Sequence, residues 1–387
     1  MHVLIALTYF QPWKSGLTVY AVRLAQALAA RGHTVKVLTS HYNKSLPRFE
    51  RMDGIDVIRV PVIMRVSKGV IMPTLPFEAW KLIRESDVIN LHVTQLDAAI
   101  IALIARLAGK PVVVTYQCDL RLPAGLVNWV ANRVSYLADR VSAASASVIV
   151  STSRDYAENS IFLPHYLDKV RVVSAPITLP GVTEEDLRNF RKKYNICPGQ
   201  QIIGLGARLA TEKGVEYLVE AMTMVLQKYP NARVLSFGQY QNVVGEEAYA
   251  QKLMPLIKGL GDHWSFLGVI SDLEVSAFFH TCNVTVLPSI NSTESFGMVQ
   301  VESMTCGTPV VASDLPGIRQ PILDTKMGRI VPPRNPKALA QAIISVLDEG
   351  DRYRGNAAEI ARRFSPQSTA ADYEAIFKEL LNPNGKR

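Results

Sequence analysis

Cysteine is scarce in this chain of 387 residues, and its placement argues against two kinds of site. The four cysteines are widely separated along the chain: Cys118, Cys197, Cys282 and Cys306. No Cys-x-x-Cys pair occurs, so neither a structural zinc site nor a disulfide framework is indicated. This use of cysteine is typical of a reducing compartment such as the cytosol.

Long hydrophobic runs and a basic leader are also missing. The longest apolar run, 98–108, is interrupted by Arg106 and is too short to span a bilayer. Residues 1–7 read directly as an apolar strand with no basic segment before it, so no signal peptide is predicted. We expect a cytoplasmic protein, with the inner face of the cytoplasmic membrane as the alternative location.

The chain also lacks a Lys/Arg block, a repeated aromatic-basic pattern and a repeat of solenoid period. Nucleic acid is therefore not expected as a partner. The net charge is nevertheless +8, which favours an anionic partner. A nucleotide sugar and lipid headgroups remain as candidates.

The order of apolar stretches predicts an α/β protein of two domains, for which the chain is long enough. A strand, a helix and a second strand within residues 2–39 form a βαβ unit. Residues 175–181 contain two prolines and one glycine, which is typical of a linker. The predicted parts are a first domain, a linker with the first helix, a second domain, and a C-terminal helix and tail: 1–174, 175–200, 201–364 and 365–387.

The stretch from Glu294 to Glu302 carries the strongest functional pattern. It follows an apolar strand at 284–288 and leads through a short helix to Gly307, which suits a helix end. Amides at the start of that helix are predicted to be free donors for an anion such as a diphosphate. The residues assigned to this anion site are Phe296, Gly297, Met298 and Val299.

The two carboxylates would flank such an anion. Glu302 follows Met298 by four residues, so it lies one turn away on the same helix face, where it can accept the hydroxyls of a ribose. Glu294 would lie on the other side and accept hydroxyls of a sugar. The alternative is that both are ordinary solvated glutamates.

Residues 201–209 depart from the dinucleotide-binding motif at one position. The strand Gln201-Ile-Ile-Gly-Leu-Gly-Ala begins a Gly-x-Gly-x-x-Gly pattern, but the third glycine is replaced by Leu209. A nicotinamide cofactor therefore loses its best support.

The segment PSINSTESFGMVQVESMTCGTPVVASDLPGIRQPI, at 288–322, resembles the nucleotide-sugar site of retaining GT-B glycosyltransferases, the glycosyl transferases group 1 family. The shared pattern is a Glu, seven residues and a second Glu, followed by Gly-x-Pro. The resemblance covers most of the chain and is strongest over 202–342. It implies two Rossmann-like domains that face each other across a cleft, with a C-terminal helix that crosses back.

The resemblance also implies roles for the charged residues. Glu294 would contact the donor sugar and Glu302 the ribose. Arg208 and Lys213 would clamp the donor diphosphate and offset the charge that develops as it leaves. The predicted catalytic set has four members: Glu294, Arg208, Lys213 and Asp119.

Further donor contacts are implied at four positions outside the helix start: Gly16, Gly238, Val269 and Ile270. Val269 and Ile270 would hold the base by main-chain contacts. The family usually has two adjacent glycines in the first loop, and here they are Ser15-Gly16. A plain strand-to-helix turn is the alternative for Gly16. A second departure is Pro316-Gly317, where the family again has two glycines.

The acceptor side is assigned to residues at two strand ends of the first domain. His92 matches a histidine that the family often carries there, and a histidine packed at the sheet edge is the alternative. Many relatives have a histidine where this chain has Gln117, which cannot take a proton. Asp119 is the nearest carboxylate and is assigned to the acceptor hydroxyl, with a loop-capping aspartate as the alternative.

The resemblance implies transfer of a sugar from a UDP- or GDP-sugar with retention, in which the leaving phosphate oxygen takes the acceptor proton. No Asp-x-Asp motif occurs, so no metal site is predicted, and no cofactor is expected. The acceptor would be a sugar or a lipid-linked glycan. The alternatives are an epimerase or phosphorylase of the same fold and a non-catalytic nucleotide-sugar binder; an NAD-dependent oxidoreductase is disfavoured by Leu209.

A membrane contact is the last expectation. The helix predicted at 126–139 has apolar residues along one side, and Arg121, Arg133 and Arg140 nearby, so a basic amphipathic face could dock on anionic lipid. Core packing of that face is the alternative. The Pro-rich stretch 69–76 is predicted to be a mobile loop.

Overall fold

The computed structural model describes residues 1–66, 69–93, 95–120, 126–243 and 245–382. The chain divides into two compact units. Unit 1 consists of 1–176 together with 365–387, and unit 2 consists of 177–364.

Unit 1 is built on an eight-stranded sheet with the order β10-β9-β8-β7-β1-β2-β4-β3. Every neighbouring pair is parallel except β3 and β4. Two further strands, β5 and β6, form an antiparallel pair. The strands of unit 1 are β1 His2–Ala6, β2 Thr34–His41, β3 Phe49–Met52, β4 Ile55–Pro61, β5 Met64–Val66, β6 Gly69–Ile71, β7 Val88–Val93, β8 Val112–Tyr116, β9 Val148–Ser151 and β10 Val170–Val172.

The helices of unit 1 are α1 Gly16–Ala30, α2 Leu75–Arg84, α3 Leu96–Leu107, α4 Leu126–Ser145, α5 Arg154–Asn159 and α14 Pro366–Leu381. Strands β7 and β8 are buried along their whole length. Their near-continuous aliphatic sequences suit parallel strands that are covered on both faces.

The last helix of the chain packs against the first one. The Tyr373 hydroxyl lies 3.1 Å from the Tyr20 hydroxyl of α1 and 2.7 Å from the Thr115 hydroxyl of β8. Helix α14 therefore belongs to unit 1, so the crossing back that the resemblance implied is confirmed.

Unit 2 is built on a six-stranded, fully parallel sheet with the order β13-β12-β11-β14-β15-β16. Its strands are β11 Ile202–Gly206, β12 Arg233–Phe237, β13 Trp264–Gly268, β14 Val284–Leu287, β15 Val310–Ser313 and β16 Gly328–Val331. Its α-helices are α6 Glu184–Lys193, α7 Val215–Lys228, α8 Glu247–Gly259, α9 Asp272–Thr281, α10 Met298–Thr305, α11 Gln320–Thr325, α12 Pro336–Asp348 and α13 Ala357–Arg363.

Two segments differ from their sequence-based prediction. The stretch 69–76, predicted as a mobile loop, contains β6 and the first turn of α2, in which Pro76 occupies an early helix position that tolerates proline. Residues 177–200, predicted as part of the linker, lie in unit 2 because Leu187 and Phe190 of α6 pack into a core with Phe278 of α9.

Candidate functional site

A partly buried ion pair joins two loops at the carboxyl edge of the unit 2 sheet. The Lys213 ammonium group donates to one carboxylate oxygen of Glu294, and only 20% of each side chain is exposed. The other carboxylate oxygen accepts the Gly297 N–H at 3.1 Å. Glu294 therefore ties the loop that carries Lys213 to the start of α10.

The position of Lys213 depends on the glycine that follows it. Gly214 has a φ of +60°, and a Cβ added there would lie 2.2 Å from the Pro288 carbonyl oxygen. The Ile290 N–H also donates to the Glu212 carbonyl oxygen at 3.0 Å. Only glycine allows this close approach of the two loops, which brings Lys213 to the end of β14.

The second predicted cation, Arg208, lies on the same loop and is paired with a residue that the sequence analysis did not select. Its guanidinium lies 2.5 Å from the Glu212 carboxylate, and 43% of the Arg208 side chain is exposed. Burial acts to raise the pKa of the Glu212 carboxyl, but the hydrogen bond and charge of Arg208 outweigh it, so this pKa is lowered. Glu212 therefore stays ionised and orients Arg208.

The turn that carries Arg208 also requires a glycine on the neighbouring strand. Gly238 follows β12 with a φ of +121°, and an added Cβ would lie 2.5 Å from the Ala207 carbonyl oxygen. The Gly238 N–H donates to the Gly268 carbonyl oxygen at 2.8 Å. Gly238 thus supports the Arg208 turn by close backbone packing, in addition to its predicted place at the site.

Helix α10 begins without a side-chain cap. Gly297, its N-cap, has a φ of +70°, and no side chain caps it. Of the predicted free amides, that of Gly297 is already taken by Glu294, which corrects the prediction. The amides of Met298 and Val299 in the first turn have no hydrogen-bond acceptor among the described residues. These two N–H groups and the helix dipole favour an anion there.

Two other residues that were predicted to bind the nucleotide-sugar donor are buried in unit 2. Phe296 is buried, and its carbonyl oxygen accepts from the Gln300 side-chain amide at 2.6 Å. Glu302 is buried within α10, one turn after Met298. Burial first, and the Glu302 charge in addition, raise the pKa of the neighbouring Cys306 thiol to about 11.

The segment predicted to hold the base follows β13. Val269 is exposed, whereas Ile270 is buried in the core with Leu187 and Phe190. Strands β13, β12, β11 and β14 are consecutive neighbours in the sheet. The structure thus brings the loops after all four strands to one edge, which is where open parallel sheets bind ligands.

In unit 1, Ser15 stands where the family usually has a glycine, and the structure gives a reason for the serine. Ser15 is the N-cap of α1, and its hydroxyl oxygen accepts the Thr18 N–H at 3.2 Å. Gly16 is the first residue of the helix. A serine at this position therefore stabilises the helix start, a task that a glycine performs less well.

His92 is fully buried in β7, which corrects its assignment as a group exposed to an acceptor. Its Nδ1 lies 3.2 Å from the Gln117 side-chain amide, and its ring meets the Tyr20 ring edge-on at 5.6 Å. Among the described residues, Nε2 has no hydrogen-bond partner. Burial lowers the pKa of His92 to about 3, so the ring is neutral. The alternative of a histidine packed at the sheet edge fits these contacts.

Asp119 is also fully buried, and its contacts favour the loop-capping alternative over a catalytic role. Its carboxylate accepts the hydroxyls of Tyr116 at 3.0 Å and Ser160 at 2.6 Å, and the Ile161 N–H at 3.2 Å. Its own N–H donates to the Tyr156 hydroxyl at 2.6 Å. The predicted acceptor contact is therefore corrected: Asp119 anchors the loop after β8.

An aromatic cluster near the same sheet edge was missed by the sequence analysis. Tyr9 stacks on Trp13 at 4.8 Å, and Tyr42 meets both rings edge-on. Nearby, the Thr8 hydroxyl donates to the Asp97 carboxylate at 2.9 Å, and burial raises the pKa of Asp97 despite this bond. No motif signals the cluster, because its members come from two different loops.

Comparison with known families follows the same division of the chain. Residues 186–364, within unit 2, match the family described as glycosyl transferases group 1. Residues 15–176, within unit 1, match the glycosyl transferase 4-like domain. Together the two matches cover most of the chain. The chain belongs to the group 1 glycosyltransferases.

Full-length relatives of this glycosyltransferase are known. Phosphatidyl-myo-inositol mannosyltransferase of Mycobacterium leprae is 25% identical over 96% of this chain and 95% of its own. The uncharacterized glycosyltransferase MJ1607 of Methanocaldococcus jannaschii is 27% identical over 96% of each chain. The crystal structure of Anabaena Alr3699/HepE in complex with UDP is similar with a TM-score of 0.78 at 20% identity, over 98% of this chain and 100% of that chain. The likeness shows the GT-B fold that was predicted.

Two further kinds of feature are absent from the described residues. No helix there is both long and apolar enough to cross a bilayer. No group of three or more His, Cys, Asp or Glu side chains among them is placed to hold a metal ion.

Proposed function

We propose that this glycosyltransferase moves a sugar from a UDP- or GDP-sugar to an acceptor hydroxyl and retains the anomeric configuration. The observation that carries the proposal is the partly buried Lys213–Glu294 pair beside the uncapped start of α10. A cation, a carboxylate and helix amides at one sheet edge match the charged diphosphate and the polar sugar of such a donor.

Binding the diphosphate would redistribute the contacts of the two cations. A guanidinium has five N–H donors, and the Glu212 contact leaves others of Arg208 for phosphate oxygens. Lys213 has three donors and can bind phosphate while it still contacts Glu294. Together with the α10 amides, these groups would hold the diphosphate without a metal ion.

The same groups would lower the barrier to transfer. As the bond between the anomeric carbon and the phosphate oxygen breaks, negative charge grows on the diphosphate. Arg208 and Lys213 would stabilise that charge where it develops. The acceptor oxygen attacks from the side on which the diphosphate leaves, and its proton passes to the leaving phosphate oxygen. Glu294 would orient the donor sugar, and Glu302 the ribose.

The acceptor is proposed to be a hydroxyl on a lipid or glycan. One relative is named for phosphatidyl-myo-inositol, a lipid of the membrane surface. A peripheral contact with an anionic membrane, at the cytoplasmic face, would give access to such an acceptor. With His92 and Asp119 buried, Gln117 remains of the three predicted acceptor-side residues, and the aromatic cluster of Tyr9, Trp13 and Tyr42 lies near the same edge. Aromatic faces stack well on the apolar side of a ring bearing hydroxyls.

The test measures nucleotide release from UDP- and GDP-sugars with and without candidate acceptors. Release that depends on an acceptor, together with a glycosylated product of retained configuration, is the expected result. Donor binding with no release would indicate a non-catalytic binder, and conversion of the donor without an acceptor would indicate an epimerase. Release that requires inorganic phosphate would indicate a phosphorylase.

A further inference from the structure

We infer that the outer face of α2, α3 and α4 in unit 1 binds the surface of an anionic lipid bilayer. This deepens the membrane contact proposed above, but it needs neither a donor nor turnover. We call this surface the three-helix face. Its exposed apolar residues are Phe77, Trp80, Leu96, Ile100, Leu103, Leu107, Trp129, Val130, Val134 and Leu137.

The three helices form one layer. Helix α3 connects the parallel strands β7 and β8, and α4 connects β8 and β9, so right-handed crossovers place both on the same side of the sheet. Helix α2 packs beside α3, and α3 packs beside α4. Residues exposed on the outside of these helices therefore belong to one continuous surface.

The central stripe lies on α3. Leu96, Ile100, Leu103 and Leu107 are spaced four, three and four residues apart, which places them on one face of the helix. The opposite side, which includes Ile101, packs into the sheet core. The outer stripe is well exposed, and 82% of Leu107 is accessible. Sequence periodicity alone cannot distinguish this outer stripe from the buried one, because α3 is apolar on both sides.

The neighbouring helices extend the stripe on both sides. On α2, Phe77 is 78% exposed and Trp80 is also exposed. On α4, Val130, Val134 and Leu137 follow a helical spacing and are all exposed. Soluble monomers rarely expose an apolar surface of this extent. The exposure of the α4 residues also excludes the simple core-packing alternative for this part of the helix.

The charges on the face identify the partner. Arg106, Arg133 and Arg140 are exposed on α3 and α4. The only carboxylates in the sequences of these two helices are Asp97, which accepts the Thr8 hydroxyl, and Asp139, which is buried. The exposed charge of α3 and α4 is therefore mainly positive, which favours an anionic lipid surface.

A second copy of this chain fits the face less well. Most homodimers are symmetric, so the same patch would meet itself. Arginines of α3 and α4 would then face arginines, since neither helix carries an exposed carboxylate. The carboxylate on α2, Glu78, is paired with Arg48 at 3.6 Å. At a bilayer surface the same arginines reach the headgroups while the apolar side chains enter the interface. Arg133 lies over the Trp129 ring at 5.5 Å, a pairing suited to that boundary. Arg121, also grouped with this face by sequence, lies outside the described residues.

The test is co-sedimentation of the full chain with vesicles, without any nucleotide sugar. One set of vesicles is phosphatidylcholine, and the other is phosphatidylcholine mixed with phosphatidylglycerol. We expect binding to the mixed vesicles, and weaker binding as salt is raised because the charge is screened. Leu103→Glu should lower the partition constant about tenfold or more, since it removes an inserted leucine and adds a repelled charge.

The matched control is Leu256→Glu on α8 of unit 2. Leu256 is 51% exposed and Leu103 is 48% exposed, so the two substitutions differ mainly in location. Leu256→Glu should leave binding unchanged, and equal thermal unfolding of both variants excludes misfolding. Wild-type protein that stays in the supernatant, or Leu103→Glu that binds normally, would overturn the inference.

The oligomeric state in solution tests whether a second copy of the chain, instead of lipid, covers the three-helix face. Light scattering after gel filtration should give a monomer, or an oligomer that Leu103→Glu leaves intact. A dimer that Leu103→Glu dissociates would show that the three-helix face joins two copies, and would overturn the lipid assignment. Because no readout involves turnover, these outcomes leave the sugar-transfer proposal to its own test.

Discussion

The ammonium group of Lys213 is paired with the carboxylate of Glu294 across 81 positions of sequence, with four-fifths of each side chain buried. In the proposed donor site, such a pair would orient both groups before a substrate arrives. It also means that neither charge needs to be brought out of solvent when a donor binds. The burial supports the proposal that the pair belongs to a donor site, because a fully exposed surface pair would contribute little to stability.

Lys213→Ala should lower kcat/KM for sugar transfer by about a hundredfold or more, because it removes one of the two cations proposed to face the leaving diphosphate. The matched control is Lys228→Ala, which breaks a lysine–carboxylate pair with Asp348 at 2.6 Å elsewhere in unit 2. That control should keep the wild-type rate. Steady-state kinetics with varied donor measures both. Equal rates for Lys213→Ala and wild type would remove Lys213 from the site.

Gly214→Ala should weaken donor binding and lower the melting temperature. The substitution carries the cost of a positive φ, and in addition its Cβ would collide with the Pro288 carbonyl oxygen at 2.2 Å. Gly199→Ala is the control, since Gly199 also has a positive φ, of +74°, but has nothing within 4 Å of the added Cβ. Thermal unfolding and donor titration of both variants separate the collision from the backbone cost. Equal effects would show that the close approach does not matter.

Sequence periodicity predicted the parallel sheets because buried parallel strands leave near-continuous apolar runs, as β7 and β8 do. It could not reveal that Glu212 holds Arg208, or that Glu294 occupies the Gly297 amide. Both contacts depend on how loops from distant strands approach each other. The burial of Asp119 was equally hidden, because it depends on Tyr156 and the segment around Ser160, which follow only after α4.

Asp119→Asn should destabilise the fold while turnover per folded molecule is preserved. The Asn amide group would replace one of the oxygens that accept from Tyr116, Ser160 and the Ile161 N–H, leaving a buried donor unpaired at a cost of about 1–3 kcal/mol. The exposed Asp168 provides a control as Asp168→Asn, which should unfold like wild type. Urea unfolding measures the stability of both variants, and steady-state kinetics measures their turnover. Loss of turnover at unchanged stability would restore the catalytic assignment.

Trp13→Ala should raise KM for the acceptor and leave KM for the donor unchanged. Trp13 is the exposed member of the aromatic cluster and stacks on Tyr9, so in the proposal an acceptor ring would pack against it. The expected change is about tenfold, the size of one good aromatic contact. Phe49→Ala, at an exposed aromatic residue of β3, is the control and should change neither constant. A shift in the donor KM alone would move the cluster out of the acceptor site.

His92 predicts a pH dependence of stability rather than of catalysis. Its pKa is about 3 in the folded protein because of burial, against an ordinary value of 6.5, so between these values the unfolded chain binds one proton more. Unfolding free energy should therefore fall as pH decreases through this window, by about 1.4 kcal/mol per pH unit from this residue alone. Urea unfolding of wild type and His92→Gln from pH 8 to pH 4 measures this change in unfolding free energy.

Above about pH 7 the curves of unfolding free energy against pH for the two proteins should be parallel, since histidine is neutral in both states there. Below that, the wild-type curve should fall more steeply. Curves that stay parallel down to pH 4 would mean that His92 takes up a proton in the folded state, and would reopen its role at an accessible site.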